Sequence, residues 1–564
     1  MSQGGTDRLP CTACRDAVHL EAVSSFEVIV SDEEPHSRTP WSPLLHPLFR
    51  ALWIAATVSN IGTWMQNVGG VWLMTTLTTS PVMVALMQTA TSLPVFLVVL
   101  PAGALADIVD RRKMLLLTQG WMLVAAAGLS ILTFQGSSSP WALLGFTFAL
   151  GLGAAMNMPV WQAVVPGLVP PRELPAAVTL NGVSFNIARA IGPALGGAVV
   201  AYSGPAAVFF LNALSFLGVL AVLYRWEGPD EKKGLPVEHV MGAIRAGTRY
   251  AVNSPHLRAV LLRCIAFIIF ASALWALMPV VARHELGMGS RGFGMLFGCI
   301  GLGALMGAAV MPRIGRGLSP DLMVAVGSAV FCGATLALAY VRITTVLYVA
   351  MVGAGIGWIL AMASMTVSAQ VSAPSWVRAR ALAFYTLAFQ GGLAVSSAFW
   401  GQVSAHTSTT FALLAAGIGL AAGTVFFRRW PLKSGHELDL TPSRHWPHPR
   451  VKEEPEPDAG PILVMLEYRI DVSTSDDFAR AMHAYGRIRK RDGATRWRLF
   501  RDLSDPGRYL ELFLVDSWAE HVRQHSRMAV DDREIEDRVR SFHIGNAPPV
   551  VSHFIYEPYK KSGR

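Results

Sequence analysis

The stretch PAGALADIVDRRKML, residues 101–115, decides how this chain is organised. No charged residue occurs in positions 51–106, and then two aspartates and three basic residues stand close together. Another apolar run begins at Met114. A charged cluster between two long apolar runs is typical of a short loop that joins two membrane-crossing helices.

The composition supports a membrane protein. Of 564 residues, 52% are hydrophobic and only 15% are charged, whereas soluble domains carry about 25% charged residues. The shortage of charge lies between Phe49 and Phe427, and the chain is ordinarily polar on either side. The net charge of +9 lies mostly in short loops between apolar runs. This distribution argues against a nucleic-acid partner, and none is predicted.

Apolar runs long enough to cross about 30 Å of hydrocarbon recur along the chain. The sequence predicts twelve such spans, at 50–77, 81–106, 113–134, 141–167, 176–201, 205–225, 258–282, 290–312, 320–341, 344–370, 378–403 and 406–428. A polar segment, 226–257, divides them into six and six. Its apolar residues recur at helical spacing, which predicts an amphipathic helix at the membrane surface. These residues are Val237, Val240, Met241, Ile244 and Val252.

The predicted fold class is an all-α membrane protein with twelve transmembrane helices in two six-helix lobes, followed by a small soluble α+β domain. Two such lobes are the layout of a secondary transporter. The predicted domains are a disordered cytoplasmic tail (1–48), a first lobe (49–225), a central cytoplasmic loop (226–257), a second lobe (258–428), a linker (429–460) and a soluble domain (461–558).

Basic residues in the loops predict the orientation. They crowd into alternate loops, such as 111–113 and 225–258, while the opposite loops hold only Arg283, Arg291 and Arg342. Loops rich in Lys and Arg stay in the cytoplasm. Both termini are therefore predicted to be cytoplasmic.

The opening loop resembles the signature of the major facilitator superfamily at this position, through Gly103, Asp107, Arg111 and Arg112. The glycine permits close helix approach, and the aspartate can cap a helix or pair with an arginine. In that family the cluster latches the two lobes during the transport cycle. Asp110 stands where the family usually has glycine. The alternative is a plain positively charged loop that only sets topology.

A second motif lies in the fifth span. Gly192-Pro193-x-x-Gly196-Gly197, preceded by Gly182, resembles the motif that this superfamily associates with exporters and antiporters. Proline removes a helical hydrogen bond, and the glycines allow tight packing or bending.

Longer phrases are similar to one branch of the superfamily, the enterobactin-exporter-like transmembrane secretion effectors. They include SNIGTWMQNVGGVWLMTTL, NIARAIGPALGG, PSWVRARALAFY and RDGATRWRLFRD. The resemblance implies a bacterial inner-membrane protein that exports a small molecule, such as a siderophore, drug or metabolite, by alternating access coupled to protons. An importer of the same fold is the alternative within transport.

The spans contain few ionisable groups. No Asp or Glu lies in the body of any predicted span, so proton coupling comes from the resemblance and not from these residues. Arg189 lies deep in the fifth span, and an intramembrane arginine by default suggests function. It attracts an anionic or polyhydroxy substrate group, or it bridges to Asn or backbone carbonyls on a neighbouring helix.

Uncharged polar side chains in the first, fourth and eleventh spans are further candidates for a substrate cavity, although any one of them alone is more often a packing or interface residue. They are Asn60, Gln66, Asn67, Asn157, Gln162 and Gln390.

The tail predicts strands and helices in the order β-α-β-β-α-β, which is ferredoxin-like. It resembles the dimeric α/β-barrel family that includes small monooxygenases. We expect a regulatory or dimerising module, which gives a homodimer; the rival is a membrane-tethered enzyme. Its histidines show no catalytic or metal-binding spacing, and Cys11 and Cys14 are only half of a zinc pattern. No catalytic residue, cofactor or metal is predicted.

Overall fold

The computed structural model describes residues 40–108, 110–226, 240–315, 317–434, 438–443, 445–446, 451–545 and 547–557. Within these ranges the side chains of residues 100, 103–108, 240, 241 and 243 are not described. The predicted tail up to residue 39, with Cys11 and Cys14, and also Val237 lie outside the described residues. Residues from Trp41 onward form one compact unit.

Long helices build the first part of the chain. They are α1 (Pro47–Leu77), α2 (Pro81–Ile108), α3 (Arg111–Phe134), α4 (Pro140–Val164), α5 (Leu174–Arg225), α6 (Val240–Asn253), α7 (Pro255–Val280), α8 (Ser290–Ile314), α9 (Pro320–Tyr340), α10 (Thr344–Val371), α11 (Arg378–His406) and α12 (Thr409–Phe426). Ten helices in the described part are long and apolar enough to cross a membrane. Helix α1, which contains several polar residues, is not among these ten, and α5 is counted as a single helix.

Helix α5 is twice the usual length because it contains a reversal. It has 52 residues, and Gly204 interrupts it with φ 78° and ψ 170°. Glycine tolerates this left-handed conformation, and the next residue, Pro205, cannot continue the hydrogen-bond ladder. Both halves then pack on the same level of α1, since Gly192 lies against Met65 and Asn212 bonds Gln66. The break separates the two spans predicted at 176–201 and 205–225.

Serine and proline set where several helices begin. Ser139, Ser254 and Ser319 each accept a hydrogen bond from a backbone N–H in the first turn of α4, α7 and α9. Each serine is followed by a proline at the first helical position, where no N–H is needed. These Ser-Pro pairs therefore fix the helix starts from local sequence alone.

The C-terminal domain is a four-stranded antiparallel sheet covered by helices. Its elements are β1 (Ile462–Arg469), α13 (Ser475–Asp492), β2 (Arg496–Arg501), β3 (Arg508–Val515), α14 (Trp518–Arg527), α15 (Val530–Arg540) and β4 (Val550–Ile555). The strand order is β2-β3-β1-β4. Alternate residues of β1 are buried, including Val464 and Tyr468, and they pack with Phe478 and Tyr485 of α13. Burial of every second residue is typical of a strand, and the same alternation in the sequence predicted strands in this domain.

The carboxylate of Glu511 lies inside this core and accepts three side-chain hydrogen bonds. Glu511 is 0% exposed. It accepts hydrogen bonds from Arg489 at 3.2 Å, Trp497 Nε1 at 2.9 Å and Tyr468 Oη at 3.2 Å. A buried charge is tolerated only when it is paired in this way.

The soluble domain lies against one end of the helix bundle. Arg249 of α6 donates to Glu520 at 2.9 Å, and Arg527 of α14 stacks on Trp376 at 4.3 Å, in the loop between α10 and α11. We call this the domain end of the bundle and the opposite end the far end.

The predicted amphipathic helix exists as α6, and the structure shows which of its residues pack on the rest of the protein. Tyr250 and Ala246 are buried, Tyr250 against Trp376, whereas Val252 is 58% exposed. The side with Tyr250 and Ala246 is covered by α11 and by the soluble domain. Apolar spacing finds an amphipathic helix but does not say what covers it.

Candidate functional site

The exporter-type motif of α5 packs against two different helices. A Cβ at Gly192 would lie 2.6 Å from the Cβ of Trp64, and one at Gly196 would lie 2.8 Å from the Cα of Met65, both on α1. A Cβ at Gly197 would lie 2.6 Å from the carbonyl oxygen of Ser290 on α8. These glycines allow α5 to contact α1 of its own lobe and α8 of the other lobe.

The contact between lobes continues along α5 and α8. A Cβ at Gly294 would lie 2.7 Å from the carbonyl oxygen of Pro193, and one at Gly301 would lie 2.5 Å from that of Arg189. Backbones at this distance are what small residues provide in membrane helices. Gly182, in contrast, has no heavy atom of the described residues within 4 Å of a would-be Cβ. The first glycine assigned to the motif therefore makes no close contact.

A second inter-lobe contact joins α2 and α11. A Cβ at Gly391 would lie 2.6 Å from the ring of Phe96, and one at Gly401 would lie 2.6 Å from the Cβ of Ala85. Thr89 donates to the carbonyl of Ala394 at 2.7 Å. Since α2 and α8 both begin at the far end, these two helix pairs bring the lobes together there.

Arg189 lies beside this junction. Its Cζ is 5.9 Å from the ring centroid of Trp64, and Trp64 also meets Phe185 at 6.1 Å. Its Nε is buried and has no hydrogen-bond partner among the described residues. The bridge from this nitrogen to an Asn or a carbonyl, the structural alternative for Arg189, is therefore not formed in this conformation.

The predicted polar cavity residues separate into groups. Gln66 is 6% exposed and accepts from Asn212, 1% exposed, at 2.5 Å. Asn157 accepts from Thr118 at 3.1 Å. These two join helices within the first lobe, so we reinterpret both as packing residues.

The remaining polar candidates lie nearer to the surface or to Arg189. Asn60 is one turn before Trp64 on α1 and donates to Ser184 of α5 at 3.5 Å. Gln162 is exposed, and Asn67 and Gln390 are half-buried. The structure brings Trp64 of α1 and Arg189 of α5 together, with Asn60 one turn away on α1, and we call these three residues the α1–α5 site.

The loop between α2 and α3, within residues 101–115, makes its described hydrogen bonds inside the first lobe. Asp110 caps α3 by accepting from the N–H of Lys113 at 3.1 Å. Arg111 donates to the carbonyl of Ala163 at 3.1 Å, and Arg112 donates to that of Tyr224 at 2.7 Å. Asp110 therefore performs the capping that was expected of the motif aspartate. Gly103 and Asp107 lie in α2, but their surroundings are outside the described residues.

Sequence reasoning missed a second deep arginine. Arg263 of α7 is 6% exposed and pairs with Asp321 in the first turn of α9 at 2.6 Å. Arg263 also donates to the carbonyl of Trp430, and Asp321 accepts from the N–H of Leu432. The signal was present in the run LLRCIAF, residues 261–267, but Arg263 lies close enough to the span boundary to be taken for a loop residue.

Comparison with protein families gives a match along most of the chain. The family model described as transmembrane secretion effector matches residues 38–561. The chain belongs to this family of the major facilitator superfamily. The match includes the soluble domain.

Curated relatives are exporters. The chain is 26% identical over 379 residues to an enterobactin exporter of Escherichia coli O1:K1, which covers 66% of this chain and 89% of the relative. A Citrobacter koseri enterobactin exporter is 25% identical over the same lengths. The family and its relatives are transporters and not enzymes, so this chain is a multi-pass secondary transporter.

Solved transporters share the fold. A bacterial homologue of the lysosomal transporter spinster, inward-facing and occupied, has a TM-score of 0.56 at 13% identity and covers 69% of this chain and 97% of its own. A bacterial homologue of ferroportin, also inward-facing, has a TM-score of 0.53 at 14% identity, with 68% and 98% covered.

Proposed function

We propose that this protein exports a small molecule from the cytoplasm by alternating access, with the domain end in the cytoplasm. The excess of basic loop residues at the domain end supports this orientation. Twelve membrane spans follow when α1 and both halves of α5 are counted. The relatives named for enterobactin support a catecholate siderophore or a molecule of similar size as substrate.

The observation that carries the proposal is the α1–α5 site at the junction of the lobes. Arg189 offers a buried Nε without a partner in the described part of the chain, with Trp64 beside it. Such a cation suits an anionic or polyhydroxy group, and the indole ring suits a flat ring system.

Direction is tested with membrane vesicles of both orientations. Everted vesicles should accumulate enterobactin when energised, whereas right-side-out vesicles should not. The reverse pattern would establish the importer. Accumulation in neither, with correctly inserted protein, would remove catecholate siderophores as the substrate class.

Coupling to protons is part of the proposal. Among the described acids near the bundle, Asp321 pairs with the buried Arg263 and so links α9 to α7, and we take it as the acid involved in coupling. Substrate added to vesicles with a preset pH gradient should dissipate that gradient. Asp321→Asn should abolish the dissipation, while Asp110→Asn, at an exposed helix cap, should preserve it.

A homodimer through the sheet of the soluble domain completes the proposal. The sheet face away from the helices carries apolar residues, of which Phe500 is 50% and Phe554 is 49% exposed. An exposed apolar face of this kind marks an interaction site. Phe500→Asp should give monomers in light scattering, whereas Val530→Asp, on α15, should leave dimers. Dimers in both variants would remove this face as the interface.

A further inference from the structure

The two lobes meet at the far end of the bundle through a pair of aromatic rings. Trp72 of α1, in the first lobe, stacks on Phe293 of α8, in the second lobe, with ring centroids 5.7 Å apart. Trp72 is 8% exposed and Phe293 is 0% exposed. Trp72 lies near the end of α1 and Phe293 near the beginning of α8, so the pair is within about two helical turns of the far end.

An arginine of the second lobe also contacts Trp72. The Cζ of Arg283 is 5.1 Å from the centroid of the Trp72 ring. Arg283 lies in a π-helical turn, Val281–Glu285, that extends α7. This turn is held within the second lobe because Glu285 pairs with Arg342, in the loop before α10. A cation close to an indole ring is attracted by it, and more strongly where the ring is shielded from water.

A second contact between an arginine and an aromatic ring joins the lobes at the same end but is exposed. The Cζ of Arg291, in α8, is 4.0 Å from the centroid of the Tyr202 ring, in α5. Tyr202 is 77% exposed, and such contacts contribute less in water than in a buried place. The buried ring of Trp72 therefore distinguishes the contact of Arg283 from that of Arg291, and the two arginines form a matched pair for an experiment.

We propose that Trp72, Phe293 and Arg283 form a closure that holds the far end of the bundle shut. The inference rests on the proposed export by alternating access, in which the lobes part at the far end so that the substrate can leave. Trp72 must then separate from Phe293 and Arg283, because both belong to the other lobe. Removing contacts that exist in only one of two conformations shifts the equilibrium towards the other. Loss of the closure therefore favours the conformation that is open at the far end.

The test measures the width of the far end by pulsed electron paramagnetic resonance on the full chain in nanodiscs without substrate. Spin labels are attached through a ketone-bearing unnatural amino acid, which leaves the native cysteines unchanged. One label replaces Ser137, in the α3–α4 loop, and the other replaces Thr345, in the first turn of α10; both positions are exposed. The wild type should give mainly a short distance. Arg283→Gln and Trp72→Leu should each raise the fraction of a longer distance by about threefold or more.

Two further variants separate loss of the closure from poor folding. Arg291→Ala removes the exposed contact with Tyr202 and should keep the wild-type distances. Arg283→Lys retains a cation and should recover part of the short-distance fraction. Equal distances in the wild type, Arg283→Gln and Trp72→Leu, or an equal shift in Arg291→Ala and Arg283→Gln, would overturn the inference. The measurement uses no substrate, so its failure leaves the direction and substrate of the proposed export untouched, and a failure of vesicle uptake does not alter these distances.

Discussion

Buried charged side chains in this protein differ in whether a partner is present. Arg263 is neutralised by Asp321, and Arg489 by Glu511, and both pairs connect elements of the fold. Arg189 has a buried Nε without such a partner in the described structure. Leaving a buried charge without a partner is unfavourable unless a ligand supplies one. Arg263 also has a buried Nη2 without a hydrogen-bond partner among the described residues, but its charge is neutralised by Asp321. The absence of a paired carboxylate at Arg189 in the described structure therefore supports its proposed role in substrate binding.

A histidine in the soluble domain makes local stability depend on pH. His521 is 2% exposed. Burial, together with His525, His553 and Arg489 nearby, lowers the pKa of His521 to about 3. The unfolded chain takes up this proton near pH 6.5. The stabilising contribution is therefore complete above pH 6.5 and is lost as the pH falls from 6.5 towards 3.

At pH 5 we expect the free energy of opening α14 and β4 to be about 2 kcal/mol lower than at pH 7.5, as measured by amide hydrogen exchange on the full chain. His521→Phe should remove most of this dependence. His483→Gln, at an exposed histidine of α13, should keep it. A wild-type profile that is flat between these pH values would contradict the buried neutral histidine.

At the scale of elements, the helix breaks were predictable and the helix contacts were not. Gly204-Pro205 marks the reversal inside α5, and Ser-Pro pairs mark the first residues of α4, α7 and α9. These signals can be recognised in the sequence because they act on neighbouring residues. Which glycines face another backbone depends on neighbouring helices far away in sequence. Gly182 was grouped with Gly197 by spacing, yet only Gly197 meets α8.

The two glycines form a matched pair of substitutions. Gly197→Ala places a methyl group against the Ser290 carbonyl and the Gly294 backbone, so α5 and α8 must separate. We expect a clear fall in melting temperature and loss of transport. Gly182→Ala meets no atom in the part of the chain that the structure describes, and it gains helix propensity of up to about 1 kcal/mol, so it should be neutral or stabilising. Equal effects of both substitutions in a thermal-shift assay would contradict the assigned contact.

At the scale of the whole molecule, docking of the soluble domain could not be predicted from the sequence. Helical spacing predicted α6 but not its contact with the soluble domain, because Arg249 and Glu520 lie far apart in the chain and nothing local links them. The membrane-spanning helices could be predicted because each one is a single uninterrupted hydrophobic run bounded by charged loop residues.

Docking predicts a specific effect of one arginine of α6. Arg249→Ala removes the bond to Glu520 and the pair with Asp516, so α6 and α14 should exchange amide hydrogens faster in the full chain. Arg245→Ala changes an exposed residue on the same helix and should leave exchange unchanged. Protection that is identical in both variants would show that the domain does not depend on this contact.

Export through the α1–α5 site is tested most directly by substrate accumulation in everted vesicles that carry Arg189 variants. With enterobactin as substrate, Arg189→Ala should reduce uptake at least tenfold, and Arg189→Lys should retain part of it. Arg291→Ala, which removes a contact with Tyr202, should transport normally. Uptake by Arg189→Ala equal to that of the wild type would contradict the account.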